Sequence, residues 1–443
     1  RWVREGLVDG LPIDHPDGLA DPGGYLARLR EALADATTFA SSGIERTADP
    51  AAPYVVVEKI LAPAATDRAE ALPAGWDVEG TTGYDALAEI DRVLVDPAGR
   101  RPLDALDRRL HEESGSVLRA WSDLVHDAKR EVTDTTLRAE VVRLVRCVPG
   151  DVVPEDAARV EDALAELLAC FPFYRSYLPE GREHLDEAAG VASGRRPDLA
   201  RTIELLVPLL ADPALELARR FEQTTGPVMA KGVEDRAFYR CTRLTSLTEV
   251  GADPSVFALS VPDFHRAQQR RQASWPHTMT TLSTHDTKRD EDVRARLAVL
   301  AELPDEWDAA LSRLRAAASS GYAPLDALLW QAVIGSWPAS AQRLHAYAVK
   351  AAREAAEGTD WRHPDDAFEH RVHDVVDAAF GAASAQVEAF VTRIAGFGWS
   401  NALAAKLLQL AGPGVPDVYQ GTELWPAALV DPDNRRDVDF ASR

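Results

Sequence analysis

The sequence predicts an α/β protein: part of a (β/α)8 TIM-type barrel carrying large helical insertions. Three observations predict it. Three short apolar or β-branched stretches each run into an acidic residue: Leu7 to Ile13 into Asp14-His15-Pro16-Asp17, Tyr54-Val55-Val56-Val57 into Glu58-Lys59, and Thr281-Leu282-Ser283-Thr284 into His285-Asp286. Parallel barrel strands deliver side chains this way to their C-terminal rim, where such enzymes keep their active sites. One such end reads equally well as a turn aspartate, but three together, two beside a histidine, do not. The second observation is that long regions rich in Ala, Leu, Glu and Arg, with apolar residues at helical spacing, separate these stretches. The third is that Pro and Gly punctuate each strand-like stretch, as Pro16 and Gly18 do after Ile13.

In chain order, Val8 to Ile13 reads as a strand, and Pro22-Gly23-Gly24 opens a helix through Tyr25, Leu26, Leu29 and Leu33. A second strand covers Tyr54 to Val57. Gly80-Thr81-Thr82-Gly83-Tyr84-Asp85 reads as a tight loop whose glycines let backbone approach a ligand closely. It lacks the lysine and the glycine spacing of a P-loop. Residues about 86–225 turn helical, with Leu137, Val141, Leu144, Val145 and Val148 on one stripe. The aromatic-rich break from Ala169 to Tyr177 reads as core packing at a helix junction or as a sugar-stacking rim, with equal weight. Residues 226–292 return to the α/β style, 293–395 are helical again, and Val415 to Gly421 is the last strand candidate. His370 and His373 flank a helix face beside Glu369, a metal-type spacing without an apparent third ligand.

The 443 residues, 46% hydrophobic and 27% charged, are ordinary globular composition and can bury a large core. A net charge of -22 argues against nucleic acid and anionic membranes and favours a neutral substrate. Cys147, Cys170 and Cys241 are scattered, which is neither a disulfide framework nor a zinc motif and fits a reducing, cytoplasmic setting. There is no run of about 18 apolar residues. The chain begins at Arg1 and both ends look cut, so an internal piece of a longer protein is expected.

Two carboxyl groups and a third in support are what retaining glycoside chemistry needs: a nucleophile, an acid/base and a carboxylate that stabilises the oxocarbenium-like transition state. Asp14, Glu58 and Asp286 fit these roles, and His15 and His285 are placed to hydrogen-bond sugar hydroxyls. Zincin, paired-cysteine, nucleophile-elbow and dinucleotide signatures are absent from the sequence, and no cofactor or metal is expected.

Gly10 to Leu19, Val57-Glu58-Lys59-Ile60-Leu61 with Gly80 to Asp85, and Ser283-Thr284-His285-Asp286-Thr287-Lys288-Arg289 resemble the α-amylase superfamily (glycoside hydrolase family 13), and within it a trehalose-forming subfamily. Gly226 to Arg240 and Gly412 to Arg436 are similar to the same subfamily. The resemblance implies that Asp14 is the nucleophile on barrel strand 4, Glu58 the acid/base on strand 5 and Asp286 the transition-state carboxylate on strand 7, with strand 8 at Val415 to Gly421. It also implies that Lys59, Tyr84, Lys231, Tyr239, Lys288 and Arg289 join His15 and His285 in binding substrate. The implied layout places strands 4–5 in residues 1–90, a helical insertion in 91–225, strands 6–7 in 226–292, a second insertion in 293–395, and strand 8 with the start of a C-terminal part in 396–443.

The activity so implied is an intramolecular transglucosylation. It converts the reducing-end α-1,4 bond of a maltooligosaccharide to α,α-1,1, with a maltooligosyl trehalose trehalohydrolase as functional partner. The alternatives are an α-glucan hydrolase of the same superfamily and a catalytically degenerate glucan-binding protein. Three positions depart from the pattern. Pro12 stands where the superfamily has an arginine contacting the nucleophile, and Arg236 and Pro426 also replace expected residues. Without that arginine, Asp14 is expected to be partly protonated beside two like charges. Neither Asn401 nor Asn434 precedes a histidine, so strands 1–3, whose motif needs an Asn-His pair, are expected outside the chain.

Overall fold

The computed structural model describes residues 1–40, 53–62, 70–150, 153–154 and 156–442. Five short strands lie among them: β1 (Gly10–Ile13), β2 (Tyr54–Val57), β3 (Gly80–Thr81), β4 (Met279–Thr280) and β5 (Val415–Pro416). All pairings are parallel, in the orders β1-β2-β3 and β4-β5. The two sheets meet at Thr278, whose Oγ1 accepts the Thr81 N–H at 2.9 Å, and at Tyr54, whose hydroxyl donates to the His277 carbonyl at 2.8 Å. The β-branched run Val55-Val56-Val57 is fully buried, as a parallel strand covered on both faces should be. The helix Pro22–Ala40 lays Leu26 and Leu33 against it, together with Leu72, Trp76 and Val78.

Several expected elements sit elsewhere. Gly80–Thr81 is a strand, not a loop, and the glycines make room for the neighbouring strand segment, Thr278 to Thr280. A Cβ on Gly80 would meet Thr278 Oγ1 at 2.2 Å, and one on Gly83, at φ +93°, would meet the Met279 carbonyl at 2.6 Å. Glycine inside a strand often marks such close approach. Between residues 226 and 278 the described chain holds no strand: the helix Glu216–Met229 continues through a π-helical stretch, Ala230–Ala237, into Phe238–Arg240, and the helix Val261–Ser274 follows a run of turns. β4 ends before Thr281, because Thr281, Thr284 and Thr287 spend their hydroxyls on local backbone bonds that compete with a ladder. β5 is two residues long, and its bonds to β4 come from the N–H groups on either side of Pro416, Val415 to the Thr278 carbonyl and Asp417 to the Thr280 carbonyl, both at 2.8 Å. Pro12 lies on β1, an edge of its sheet in this structure, where proline is tolerated.

The helices form two bodies with separate cores. Within 138–229, Val141, Leu144, Leu164, Leu167, Ile203 and Phe221 share one cluster, with Leu137, Val145 and Val148 of the predicted stripe at its margin. Phe171 and Phe173 of the aromatic break join this core. In the C-terminal body the helix Ala323–Ser336 is apolar all round and buried along its whole length, as a central helix should be. Its Gln331 side chain accepts the Thr245 N–H and donates to the Thr242 carbonyl, both at 2.8 Å, so its buried amide is satisfied. His370 is exposed beside Asp374, whereas His373 Nδ1 lies 2.8 Å from His345 Nδ1. No described helix is long and apolar enough to cross a membrane.

Candidate active site

The register of the β1–β2 pair builds the site. Ile13 is opposite Val57, and the Glu58 N–H donates to the Ile13 carbonyl at 2.8 Å. The next residues out of the sheet, Asp14 and Glu58, therefore stand side by side, and their carboxyl groups share a hydrogen bond. His15 takes the left-handed conformation (φ +47°), which turns the chain into Pro16–Gly18 and lets its own N–H donate to Glu58 Oε2 at 3.3 Å. His15 and Asp14 are exposed, while Glu58 is partly covered.

The third carboxylate arrives on the loop after β4. Thr284 Oγ1 accepts the N–H groups of Asp286 (3.0 Å) and Thr287 (3.2 Å), and the Tyr84 hydroxyl pairs with the same oxygen at 2.9 Å. Beneath the loop, the fully buried Glu249 accepts the backbone N–H groups of Lys288 at 2.7 Å and Arg289 at 3.0 Å. Arg294, also buried, donates to the Leu282 carbonyl at 2.5 Å and to Asp91 at 2.6 Å. Asp286 thereby comes close enough for its charge to act on Glu58.

The three carboxyls are electrostatically unequal. Glu58 is pushed up to about 8, first by burial, then by its hydrogen bond to Asp14 and by the charges of Asp14 and Asp286. Asp14 is held below its ordinary value, first by the hydrogen bond from Glu58, with His285 and His15 adding to it against some desolvation. The expectation of a partly protonated Asp14 runs against these directions: burial and the shared hydrogen bond favour the proton on Glu58. Two carboxyls pushed apart in this way are an acid and an ionised partner ready for different tasks.

The other expected residues divide. Tyr84 touches the Asp286 loop. His285 is exposed beside Asp286, and its charge acts on Asp14. Lys231 is exposed and paired with Asp235 at 2.6 Å. Lys288 is buried, its Nζ 3.1 Å from Asp235 and 3.7 Å from Glu234. The structure places three more inside the protein rather than at an open surface. Lys59 Nζ lies between Glu70 (3.0 Å) and Asp17 (3.2 Å), with the Tyr174 and Tyr177 rings at 5.7 Å each. Arg289 donates to the Thr248 carbonyl at 3.3 Å and to the Tyr347 hydroxyl at 3.1 Å. Tyr239 packs in the C-terminal core. Of the departures, Arg236 donates to Glu131 at 2.9 Å. Sequence reasoning missed Glu249 and Glu234. The latter sits on the π-helical stretch, bonds the Tyr174 hydroxyl and is pushed up to about 7 by burial. A π-helical segment often marks a functional site, but its sequence carries no local signature.

No family model matches the chain. A curated protein of Mycobacterium tuberculosis that carries the maltooligosyl trehalose synthase name is 43% identical over 451 residues, covering 100% of this chain and 55% of that protein. A solved structure of maltooligosyltrehalose synthase from Arthrobacter ramosus superimposes with a TM-score of 0.90 at 50% identity, again covering 100% of this chain and 55% of the other. This chain matches maltooligosyl trehalose synthases from end to end. A third structure, a glycosyltrehalose synthase labelled DSM5389, gives a TM-score of 0.80 at 32% identity over 98% of this chain and 53% of its own. The chain spans about half the length of the synthases it matches. The Asp14–Glu58 pair and the Asp286 loop lie within that shared half.

Proposed function

We propose that this chain is the carboxylate-bearing part of a retaining intramolecular transglucosylase that forms maltooligosyl trehalose from a maltooligosaccharide. The single observation that carries the reading is the Asp14–Glu58 pair, two carboxyl groups brought together at neighbouring strand ends, where burial and their mutual contact raise Glu58 and lower Asp14. Carboxyls close enough to share a hydrogen bond lie nearer the about 5–5.5 Å of retaining enzymes than the about 6.5–9.5 Å by which inverting enzymes make room for a water, which favours the retaining route. Glu58 protonates the α-1,4 oxygen while Asp14 attacks the anomeric carbon, giving a glycosyl–Asp14 intermediate and a freed glucose. The glucose reorients without leaving. Its anomeric hydroxyl then gives its proton to Glu58 and displaces Asp14, forming the α,α-1,1 bond with net retention. Asp286 supplies negative charge to the oxocarbenium-like transition states. Holding the freed glucose raises its effective concentration over water, which favours transfer above hydrolysis.

We take β1 to β5 as five consecutive strands of a barrel, strands 4 to 8, with strand 6 at Gly80–Thr81 rather than within 226–292 as expected from the sequence, and with insertions in 91–225 and 293–395. The parallel pairings and the Thr278 seam between β3 and β4 support it, as do the exposed outer edges at Pro12 and Val415.

The test uses the full-length protein and maltopentaose. The proposal expects reducing ends to disappear in step with trehalose-terminated product, and Glu58→Gln to cut that rate by about 10²- to 10⁴-fold or more while leaving substrate binding in place. Release of new reducing ends instead would make the protein a hydrolase. Binding without turnover in the unsubstituted protein would make it a glucan-binding relative.

A further inference from the structure

The helices Trp121–Asp134 and Ala157–Cys170 pack against each other and bring together three side chains that the reaction above does not use. Glu166 and Cys170 are one turn apart on one face, and His126 meets them from the facing helix. His126 Nε2 lies 2.9 Å and Cys170 Sγ 3.6 Å from the same oxygen, Glu166 Oε1. The three ligand-type atoms all lie within 4.8 Å of one another. A tetrahedral zinc site with bonds of about 2.0–2.3 Å separates its ligand atoms by about 3.3–3.8 Å, so small side-chain shifts would complete one.

The surroundings have the form of an outer coordination shell. The other imidazole nitrogen, Nδ1, is 3.2 Å from Asp127 Oδ1, and Asp127 is itself paired with Arg119. The other Glu166 oxygen, Oε2, accepts from Arg130 at 3.3 Å. Metal-bound histidines usually donate their second N–H to a carboxylate, and ligating carboxylates are held in turn. Both imidazole nitrogens face a carboxylate oxygen, and a bound cation would take the place of the Nε2 proton between His126 and Glu166 while Nδ1 keeps its proton for Asp127. Of the nearby cations, Lys129 Nζ donates to the Phe171 carbonyl at 2.6 Å and Arg195 to Asp123 at 2.5 Å, while Arg130 reaches Glu166 through Oε2 and not through Oε1. His126 and Cys170 also line a cavity of about 430 Å³ with Trp121, Phe171 and Tyr174, which reaches Ile60 and Leu61 just beyond Glu58.

We infer that His126, Glu166 and Cys170 bind a zinc-type divalent cation, with a fourth position open to this cavity. The mixed N, O and S donors select a borderline metal such as zinc over magnesium or calcium. Cysteine coordinates zinc as the thiolate, so binding must expel the Cys170 proton to solvent. The sequence hides the set, because 40 residues separate His126 from Glu166.

The experiment uses the chain itself, stripped with chelator and titrated with Co²⁺ as the probe. The expected result is one equivalent bound, a thiolate-to-cobalt charge-transfer band, release of about one proton, and displacement by Zn²⁺. Cys170→Ser and Cys170→Ala should each remove the band, and His126→Gln should weaken binding at least about ten-fold. Asp127→Asn should weaken it by about 10- to 100-fold. Cys147→Ser and Cys241→Ser should leave the band unchanged, and circular dichroism checks the fold of every variant. Absence of saturable uptake, uptake without the band, or a band that survives either Cys170 variant would overturn the assignment.

Discussion

The turn after β1 and the loop after β4 each present an aspartate to Glu58, but they are built differently. Beyond Asp14, the first turn is held through its carbonyls: buried Arg175 donates to the carbonyls of Asp17 and Leu19, both at 2.5 Å, and Lys59 pairs with the Asp17 carboxylate. Asp14 and His15 themselves stay exposed just past the end of an edge strand. The second loop is held through its N–H groups by the carboxylate of Glu249 and by Thr284, with Arg294 and Tyr84 closing around it. Asp286 is thus positioned by a buried polar scaffold within this chain. Asp14 depends mainly on the β1–β2 register and on Glu58. The difference teaches that the meeting of the three carboxyls is set by strand pairing on one side and by buried charge on the other.

The largest expected effect breaks the second side. Glu249→Ala would leave the N–H groups of Lys288, Arg289 and Val250 without their acceptor and the Arg294 guanidinium, 3.5 Å away, without one of its counter-charges. Removing one partner of a buried charged network costs about 3–5 kcal/mol, to be read as a drop in urea midpoint. A variant within about 0.5 kcal/mol of the parent would show that Glu249 is not the loop's anchor. A smaller loss is expected where the strands meet. Gly83→Ala forces a non-glycine residue to φ +93° with its Cβ against the β4 backbone, for a cost of about 1–3 kcal/mol from conformation alone. An unchanged midpoint would mean that the β3–β4 seam is looser than described.

The last test sharpens the first side and is read as a slope with pH rather than as a loss at one pH. Glu58 has its folded value raised above its ordinary one, so the folded state holds the proton more tightly than the unfolded chain. Its contribution to stability is complete below about 4.5 and is lost as pH rises through about 8. Other buried acids titrate in the same window, including Glu89 and Glu234, each pushed up to about 7 by burial. The readout is therefore the difference between parent and Glu58→Gln, whose stability should fall less between pH 5 and pH 8. Equal slopes in both would contradict the raised value.

Much of this was legible in the sequence. The β-branched run at Tyr54 to Val57 and the apolar run ending at Ile13 announced parallel strands, and the acids that follow them do meet. The helical stripe at Val141 and Leu144 was equally plain, because helical periodicity is local. What escaped was set by long-range packing. The third strand is two residues, Gly80–Thr81, defined by Thr278 some 200 positions later, so composition alone read it as a loop. Lys59 and Arg289 carry charges that sequence reading sent toward substrate, yet their partners Glu70, Asp17, Thr248 and Tyr347 draw them inside. Glu249 and the proposed His126–Glu166–Cys170 site had no spacing signal, since their partners come from distant segments.

The central claim is that one proton sits on Glu58 beside an ionised Asp14. Carboxyl-carbon NMR across pH, on the parent, Asp14→Asn and Glu58→Gln, tests it without requiring turnover. The account predicts that Glu58 titrates near 8 in the parent, that its value falls when Asp14 is replaced, and that Asp14 titrates below its ordinary value. A Glu58 titrating at about 4.3, the value of an unperturbed glutamate, would contradict it.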